Sequence, residues 1–383
     1  MPTRWLERLA SSWGQSFEPR ETPEERPAAG KTFQRLSQSA LVHSACGRRD
    51  EAIRDLTAAL RLRTDDAALT LVLGHLLRLK GQYDRAIRLH RMLLLRPDAD
   101  RHSRVGARVA LALDYRTAGL LKQARHHAEQ ALEIDAREPT ALDLLARLHE
   151  TAGEWQAALQ LEERLLKICP GRSGLTCGFL HYRIGCEHHE RGQTGRAARR
   201  LSRALKVHER VIPAYVRLGD LHYEASRPDR AVIYWERLLD RQPRHAHLVF
   251  ERLEGAYSAL GRAGKLEEVC RRLAEADPAH WRSRLYLAEA AVRRGLPEEA
   301  ARWSLGALEA VPRSLAAHRE YWRAAAPPST LPPVALRDFL KATAGPGAGD
   351  DPHVCTQCRY RASELLWRCP QCRAWGSFLE DRG

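Results

Sequence analysis

"GQYDRAIRLHRMLLLRP", residues 81–97, reads as a turn followed by an amphipathic helix, and it recurs along the chain. Gly81 opens it, Ala86 stands five positions later, and Leu93 follows seven beyond that. The same frame returns at "GRRDEAIRDLTAALRL" from residue 47, "GLLKQARHHAEQALEID" from 119 and "GEWQAALQLEERLLKICP" from 153. It returns again at "GQTGRAARRLSRALKV" from 192 and "GLPEEAARWSLGALEAVP" from 295. "SRPDRAVIYWERLLDRQP" from 226 fits with Ser for Gly, and "GKLEEVCRRLAEADP" from 264 fits with Val269 for Ala and a shorter second helix. The successive turn residues lie 34, 38, 34, 39, 34, 38 and 31 residues apart.

A period near 34 marks tetratricopeptide helix pairs. Its residue choices have physical reasons. Glycine after the first helix supplies the left-handed cap that ends it. The small residue, Ala52, Ala86, Ala124, Ala158, Ala197, Ala231, Val269 or Ala300, sits where the paired helices approach closely. Leu73-Gly74 and Leu218-Gly219 occupy the first helix, and Pro97, Pro170, Pro243 and Pro312 end the second. The expected fold is all-α, a solenoid of about eight helix hairpins over residues 33–325. Such an array buries each repeat on its neighbours and leaves a long surface open to peptides or partner helices.

At 383 residues with 44% apolar content, the chain is long enough for two or more domains. Its formal net charge of +14 raises nucleic-acid or anionic-membrane binding. Only seven of the 62 basic residues are Lys, however, a bias that a GC-rich genome also produces. Residues 350–383 hold five Arg against five Asp plus Glu, so that tail is neutral and no nucleic-acid partner is expected. Five of the nine cysteines, Cys46, Cys169, Cys177, Cys186 and Cys270, show no framework spacing, which points to a reducing, cytoplasmic compartment. No run of about 18 apolar residues encodes a spanning helix.

The other four cysteines are close together. In "CTQCRYRASELLWRCPQC", residues 355–372, Cys355-x2-Cys358 and Cys369-x2-Cys372 flank ten intervening residues. Each CxxC turn aims two thiolates at one point, and two facing turns complete a tetrahedron. A segment of some thirty residues cannot build an adequate core alone, so one structural metal is expected to fold 353–383. Zinc is the first expectation and iron the second, with a disulfide or redox pair as the competing reading. Tyr360, Trp367, Trp375 and Phe378 are expected to pack around the site or against the last helices, so that the module closes the C-terminal end of the array.

Other signals are weaker. His126-His127 and His188-His189 are adjacent on helices and diverge by roughly 100°, so one metal cannot easily take both members of a pair. Cys169, Cys177 and Cys186 read as small buried hydrophobes, and Trp155, Trp235 and Trp303 as packing residues. No catalytic residue or cofactor loop is expected. Residues 326–352, "APPSTLPPVALRDFLKATAGPGAGDDP", form a Pro/Gly-rich linker with one short helix at 334–344. In the extension 1–32, Trp5, Leu9 and Trp13 recur every four residues and would give a short helix an interfacial face.

The repeats and tail together resemble the lipopolysaccharide assembly protein B family. "LTLVLGHLLRLKGQYDRAIRLHRMLL" (69–94), "LDYRTAGLLKQA" (113–124) and "GEWQAALQLEERLLK" (153–167) are similar to its second, third and fourth repeats, and "CTQCRYRASELLWRCPQCRAWGSF" (355–378) to its rubredoxin-like ending. The resemblance implies that Cys355, Cys358, Cys369 and Cys372 hold the metal. It also implies a non-enzymatic adaptor at the cytoplasmic face of the inner membrane. Such an adaptor brings the lipid A deacetylase to a membrane AAA+ protease, associates with other lipopolysaccharide enzymes, and so regulates lipopolysaccharide synthesis. The family usually opens with a transmembrane helix, which this sequence does not show. A start codon placed too late, the segment Trp5–Trp13 acting in its place, or a relative with another client would each account for that. The competing functions are a generic repeat adaptor, a nucleic-acid-binding zinc ribbon and a rubredoxin-type redox protein.

Overall fold

A computed structural model of the chain describes residues 27–277, 280–312, 314–325 and 353–380. The extension around Trp5, Leu9 and Trp13 and the linker with its short helix at 334–344 lie outside these residues. The chain divides into two compact units, residues 1–148 and 149–383.

The first unit carries helices α1 (Pro27–Ala45), α2 (Arg49–Leu62), α3 (Ala67–Leu79), α4 (Tyr83–Leu94), α5 (Arg101–Thr117), α6 (Leu121–Ile134) and most of α7 (Pro139–Thr151). Helix α1 therefore starts inside the span read as an extension from sequence. The second unit continues with α8 (Trp155–Ile168), α9 (Leu175–Glu190), α10 (Thr194–Val207), α11 (Ile212–Glu224) and α12 (Pro228–Arg241). A 3-10 segment (Pro243–Val249) leads to α13 (Phe250–Ala259), α14 (Lys265–Ala276), α15 (Trp281–Arg293), α16 (Pro297–Ala310) and α17 (Leu315–Ala325). Three short strands close the described chain: β1 (His353–Cys355), β2 (Arg361–Ala362) and β3 (Phe378–Glu380).

The turns explain the repeat. After α3, Gln82 N–H donates to Leu77 O at 2.9 Å while Gly81 adopts φ 78°. This six-to-one bond across a left-handed residue is a Schellman cap. The same bond recurs after α5, where Leu120 donates to Tyr115, and after α11, where Arg227 donates to His222 across Ser226 at φ 54°. In the seventh pair the cap is Gly261, with Arg262 N–H on Tyr257 O, and Gly264 (φ 85°) precedes α14. The sequence reading placed that turn at Gly264. The structure moves it to Gly261, which turns the uneven 38 and 31 spacings into 35 and 34 and puts the additional residues inside the turn.

The small-residue position is sealed as expected. Ala52, Ala86, Ala124, Ala158, Ala197, Ala231 and Ala300 have no exposed surface, and Val269 is buried. Two glycines in first helices make room for large residues of the second. A Cβ on Gly219 would lie 2.0 Å from Trp235 Nε1, and one on Gly74 would lie 2.2 Å from His90 Nε2. Trp235 is accordingly buried, its indole N–H donating to Val216 O at 3.2 Å.

Within the first unit, His90 joins a buried polar group. Asp114 accepts from Arg78 Nη1 at 2.7 Å and lies 2.6 Å from His90 Nδ1. Burial and then Arg78 bring His75 down to about 4, so its Nδ1 accepts from Arg78 Nη2 at 2.6 Å. Each buried charge thus has a partner, which is the condition for keeping it inside a helical core.

Candidate metal centre

The four terminal cysteines sit on two turns of the same construction. In the first, Cys355 N–H donates to Tyr360 O and Arg359 N–H donates to Cys355 O, both at 2.9 Å. In the second, Cys369 N–H donates to Ala374 O at 2.9 Å and Arg373 N–H to Cys369 O at 3.0 Å. Each loop closes through a left-handed arginine, Arg359 at φ 64° and Arg373 at φ 61°. A side chain there costs about 1–2 kcal/mol relative to ordinary backbone, so the loops hold a strained shape that points their sulfurs inward. The sheet, in order β2-β1-β3 and antiparallel throughout, fixes the first loop and pairs Cys355 with Phe378.

These turns bring all four sulfurs within 4.8 Å of one another. Cys355 and Cys372 Sγ are 3.6 Å apart, and Cys358 and Cys369 Sγ 3.5 Å. Thiolates around one zinc at about 2.3 Å would be about 3.8 Å apart, so the arrangement suits a single tetrahedral ion. All four thiols are free. Burial opposes ionisation of Cys355, but hydrogen bonds from Ser377, two backbone N–H groups and Cys372 outweigh it and bring the thiol down to about 6. Burial pushes Cys372 up to about 12. Four sulfurs this close ionise together only around a cation, whose charge inverts the local acidity.

Among the described residues this is the single group of three or more His, Cys, Asp or Glu side chains that could share an ion. The histidine pairs go elsewhere. His127 stacks on Tyr115 with centroids 5.3 Å apart, and His188 Nδ1 lies 2.8 Å from Gln193 Oε1. Of the three cysteines read as buried hydrophobes, Cys177 and Cys186 are buried and Cys169 only partly. Cys270 is buried too, and burial raises the Cys177 and Cys270 thiols to about 12, which leaves them inert.

The four aromatic residues of the tail divide into two jobs. Phe378 is buried beside Cys355 and Cys369, and Tyr360 meets it edge-on. Trp375 instead stacks on Phe179 of α9, centroids 5.0 Å apart at 17°, and Trp367 packs against the clusters around α11 and α12. Gly376 lets the backbone close in, since a Cβ there would lie 3.1 Å from the Phe179 ring. Arg368 lies over the Trp375 ring and pairs with the buried Glu150 at the end of α7. The module therefore docks on Glu150, α9 and the helices that follow it, while Phe378 and Tyr360 pack around the site itself. Four residues in this arrangement escaped sequence reading. Glu150 and Arg368 are 218 positions apart. Phe179 has no aromatic signature of its own. Ser377, whose Oγ lies 3.2 Å from Cys355 Sγ, looks like any serine in a tail.

Comparison with known proteins agrees with both parts. Residues 353–380 match the rubredoxin metal binding domain, and residues 39–101, 109–173, 182–246, 216–268 and 259–314 match the tetratricopeptide repeat. The chain is 25% identical over 342 residues to lipopolysaccharide assembly protein B of Escherichia coli strain K12, which covers 87% of this chain and 86% of that protein. The chain belongs to the tetratricopeptide-repeat family. The protein of the same name from Haemophilus influenzae is 24% identical over 331 residues, covering 80% of this chain and 77% of its own. A solved tetratricopeptide repeat protein from Parabacteroides merdae is 14% identical, with a TM-score of 0.38 over 77% of this chain and 99% of that one. The all-α repeat fold with a small four-cysteine module is thus the fold expected from sequence. No helix among the described residues is long and apolar enough to cross a membrane.

Proposed function

We propose that this chain is a non-enzymatic adaptor whose helical array recruits client proteins. In this reading Cys355, Cys358, Cys369 and Cys372 hold one structural ion, zinc before iron, that keeps the C-terminal module folded against the array. The chemistry of the donor set supports a structural ion. With four protein thiolates around it, the ion has no open position for substrate or water. What such an ion supplies is cohesion, because the module is too short to fold on buried area alone. The chain's own residues do the rest. Trp375 and Arg368 fasten the module to Phe179 and Glu150, and the repeats present the surface that clients meet.

The relationship to lipopolysaccharide assembly protein B across 87% of the chain carries the functional reading. By that relationship the clients are lipopolysaccharide enzymes, foremost the lipid A deacetylase, delivered to a membrane AAA+ protease at the cytoplasmic face of the inner membrane. Affinity capture from native cells, followed by mass spectrometry, tests this. Recovery of a lipid A enzyme together with a membrane protease is the expected result. Recovery of ribosomes or DNA-bound factors in their place would overturn it.

A further inference from the structure

The second helices of the repeats in the second unit are mixed in charge, with one exception. Helix α8 carries Glu162 and Glu163, α12 carries Asp229, Glu236 and Asp240, α14 carries Glu267, Glu268 and Glu275, and α16 carries Glu298, Glu299 and Glu309. Helix α10, "TGRAARRLSRALKV", has five basic residues and no acid. Four of the five, Arg196, Arg199, Arg200 and Arg203, follow the i, i+3, i+4, i+7 spacing of one helix face. Together with His188 they line a surface cleft of about 450 Å³.

Two observations separate this cleft from an ordinary solvated face. Among the described residues, none of these four guanidiniums has a carboxylate within ion-pair distance; single arginines such as Arg230 share that state, but here four stand on one face of a helix with no acid. By contrast, Arg241, Arg252, Arg271, Arg272, Arg293 and Arg294 of the same unit are each paired. Arg200 is also held in place before any ligand arrives. It is half-buried, donates to Gln156 Oε1 at 3.1 Å, and lies 3.4 Å from His181 Nδ1. Burial, then Arg200 and Arg203, brings His181 down to about 4, so that imidazole adds no competing charge and can accept from Arg200.

We propose that the α10 cleft is a docking site for an acidic helical segment of a client protein. The stripe runs about 10 Å along the helix, and carboxylates at i, i+3 or i+4, and i+7 of a partner helix have the same span. A single row of arginines on one helix matches a partner helix better than the broad field of a bilayer. No Phe, Tyr or Trp lines the cleft as a platform for nucleic-acid bases. The inference rests on the adaptor reading and adds the partner's chemistry to it.

The test uses the full metal-loaded chain and a labelled helical peptide of Glu-Ala-Ala-Glu-Ala-Ala-Ala repeats, followed by fluorescence anisotropy. Binding should weaken as salt rises. The double variant Arg199→Glu/Arg203→Glu should bind at least about tenfold more weakly. The control Arg241→Glu/Arg272→Glu, with the same change in net charge, should stay within about twofold of wild type. Equal losses in both variants would mean a general charge effect and overturn the site. If the glutamate variant shows altered helicity or metal content, Arg199→Ala/Arg203→Ala takes its place, and unchanged binding there also overturns it. Retention on anionic phospholipid vesicles or single-stranded RNA that needs Arg199 and Arg203, without peptide binding, would assign the cleft to those ligands and reject the proposal. Native capture separates the two levels. Clients retained at wild-type level by the glutamate variant would sink this cleft and leave the adaptor reading standing, while wild type that retains no client would sink the adaptor reading itself.

Discussion

The helical repeats and the four-cysteine module solve the same problem with opposite means. Each repeat seals alanines and leucines against its neighbours, and its turns are closed by backbone bonds that any glycine can supply. The module buries little besides Phe378 and the sulfurs of Cys355 and Cys369, and its two turns are held by arginines in a conformation that side chains avoid. A repeat is stable by accumulation, since each pair adds an interface. A module of this size has no such reserve and depends on a few strong bonds. Damage should therefore spread differently in the two regions.

The sharpest break comes from the metal. Replacing Cys369 with Ser, or stripping the protein with a strong chelator, should release the ion and open residues 353–380 to protease. Helicity by circular dichroism should stay nearly unchanged. Collapse of the helical signal would show that the array leans on the module more than its own packing suggests. As a matched control, Cys177→Ser should leave metal stoichiometry intact, because Cys177 is buried in the cluster formed by α8 and α9.

The next effect belongs to the array. Gly219→Ala places a Cβ where the Trp235 indole lies, and overpacking of this kind should destabilise the second unit by about 3 kcal/mol. Denaturant unfolding followed by tryptophan fluorescence would show it, with metal content unchanged.

A smaller loss is expected where the two regions meet. Arg368→Ala removes a charged hydrogen-bond partner from the buried Glu150 and the cation over Trp375, for about 2 kcal/mol. Faster proteolysis of the module with full metal occupancy is the signature. If metal occupancy fell instead, Arg368 would belong to the metal site and not to the docking contact.

The smallest effect has the opposite sign. Arg359→Gly relieves the left-handed strain of the first loop, partly offset by the freedom glycine adds to the unfolded chain, for a net gain of about 0.5 kcal/mol. Slower metal loss to a competing chelator would register it.

Local features were legible from sequence because local physics produces them. A left-handed cap selects Gly, so the turns at Gly81, Gly119 and Gly153 could be read directly. Close helix approach selects Ala, so Ala86 and Ala197 marked the buried seam. Even the misplaced seventh turn failed for a local reason: Gly261 and Gly264 are both left-handed, and only the helix ends show which one caps α13. The module's position was not legible in that way. Trp375 announced itself as an aromatic that had to be buried, and nothing in the neighbouring residues named Phe179 as its partner.

The repeat, the helix-pair seams and the convergence of four thiols follow from sequence alone, because each depends on residues within a short stretch of chain. Where the module docks, which arginine meets Glu150, and that Arg200 of α10 meets Gln156 and His181 emerge only in the folded chain. Those pairings join distant parts of the chain, and packing selects among many candidate surfaces that no local spacing distinguishes.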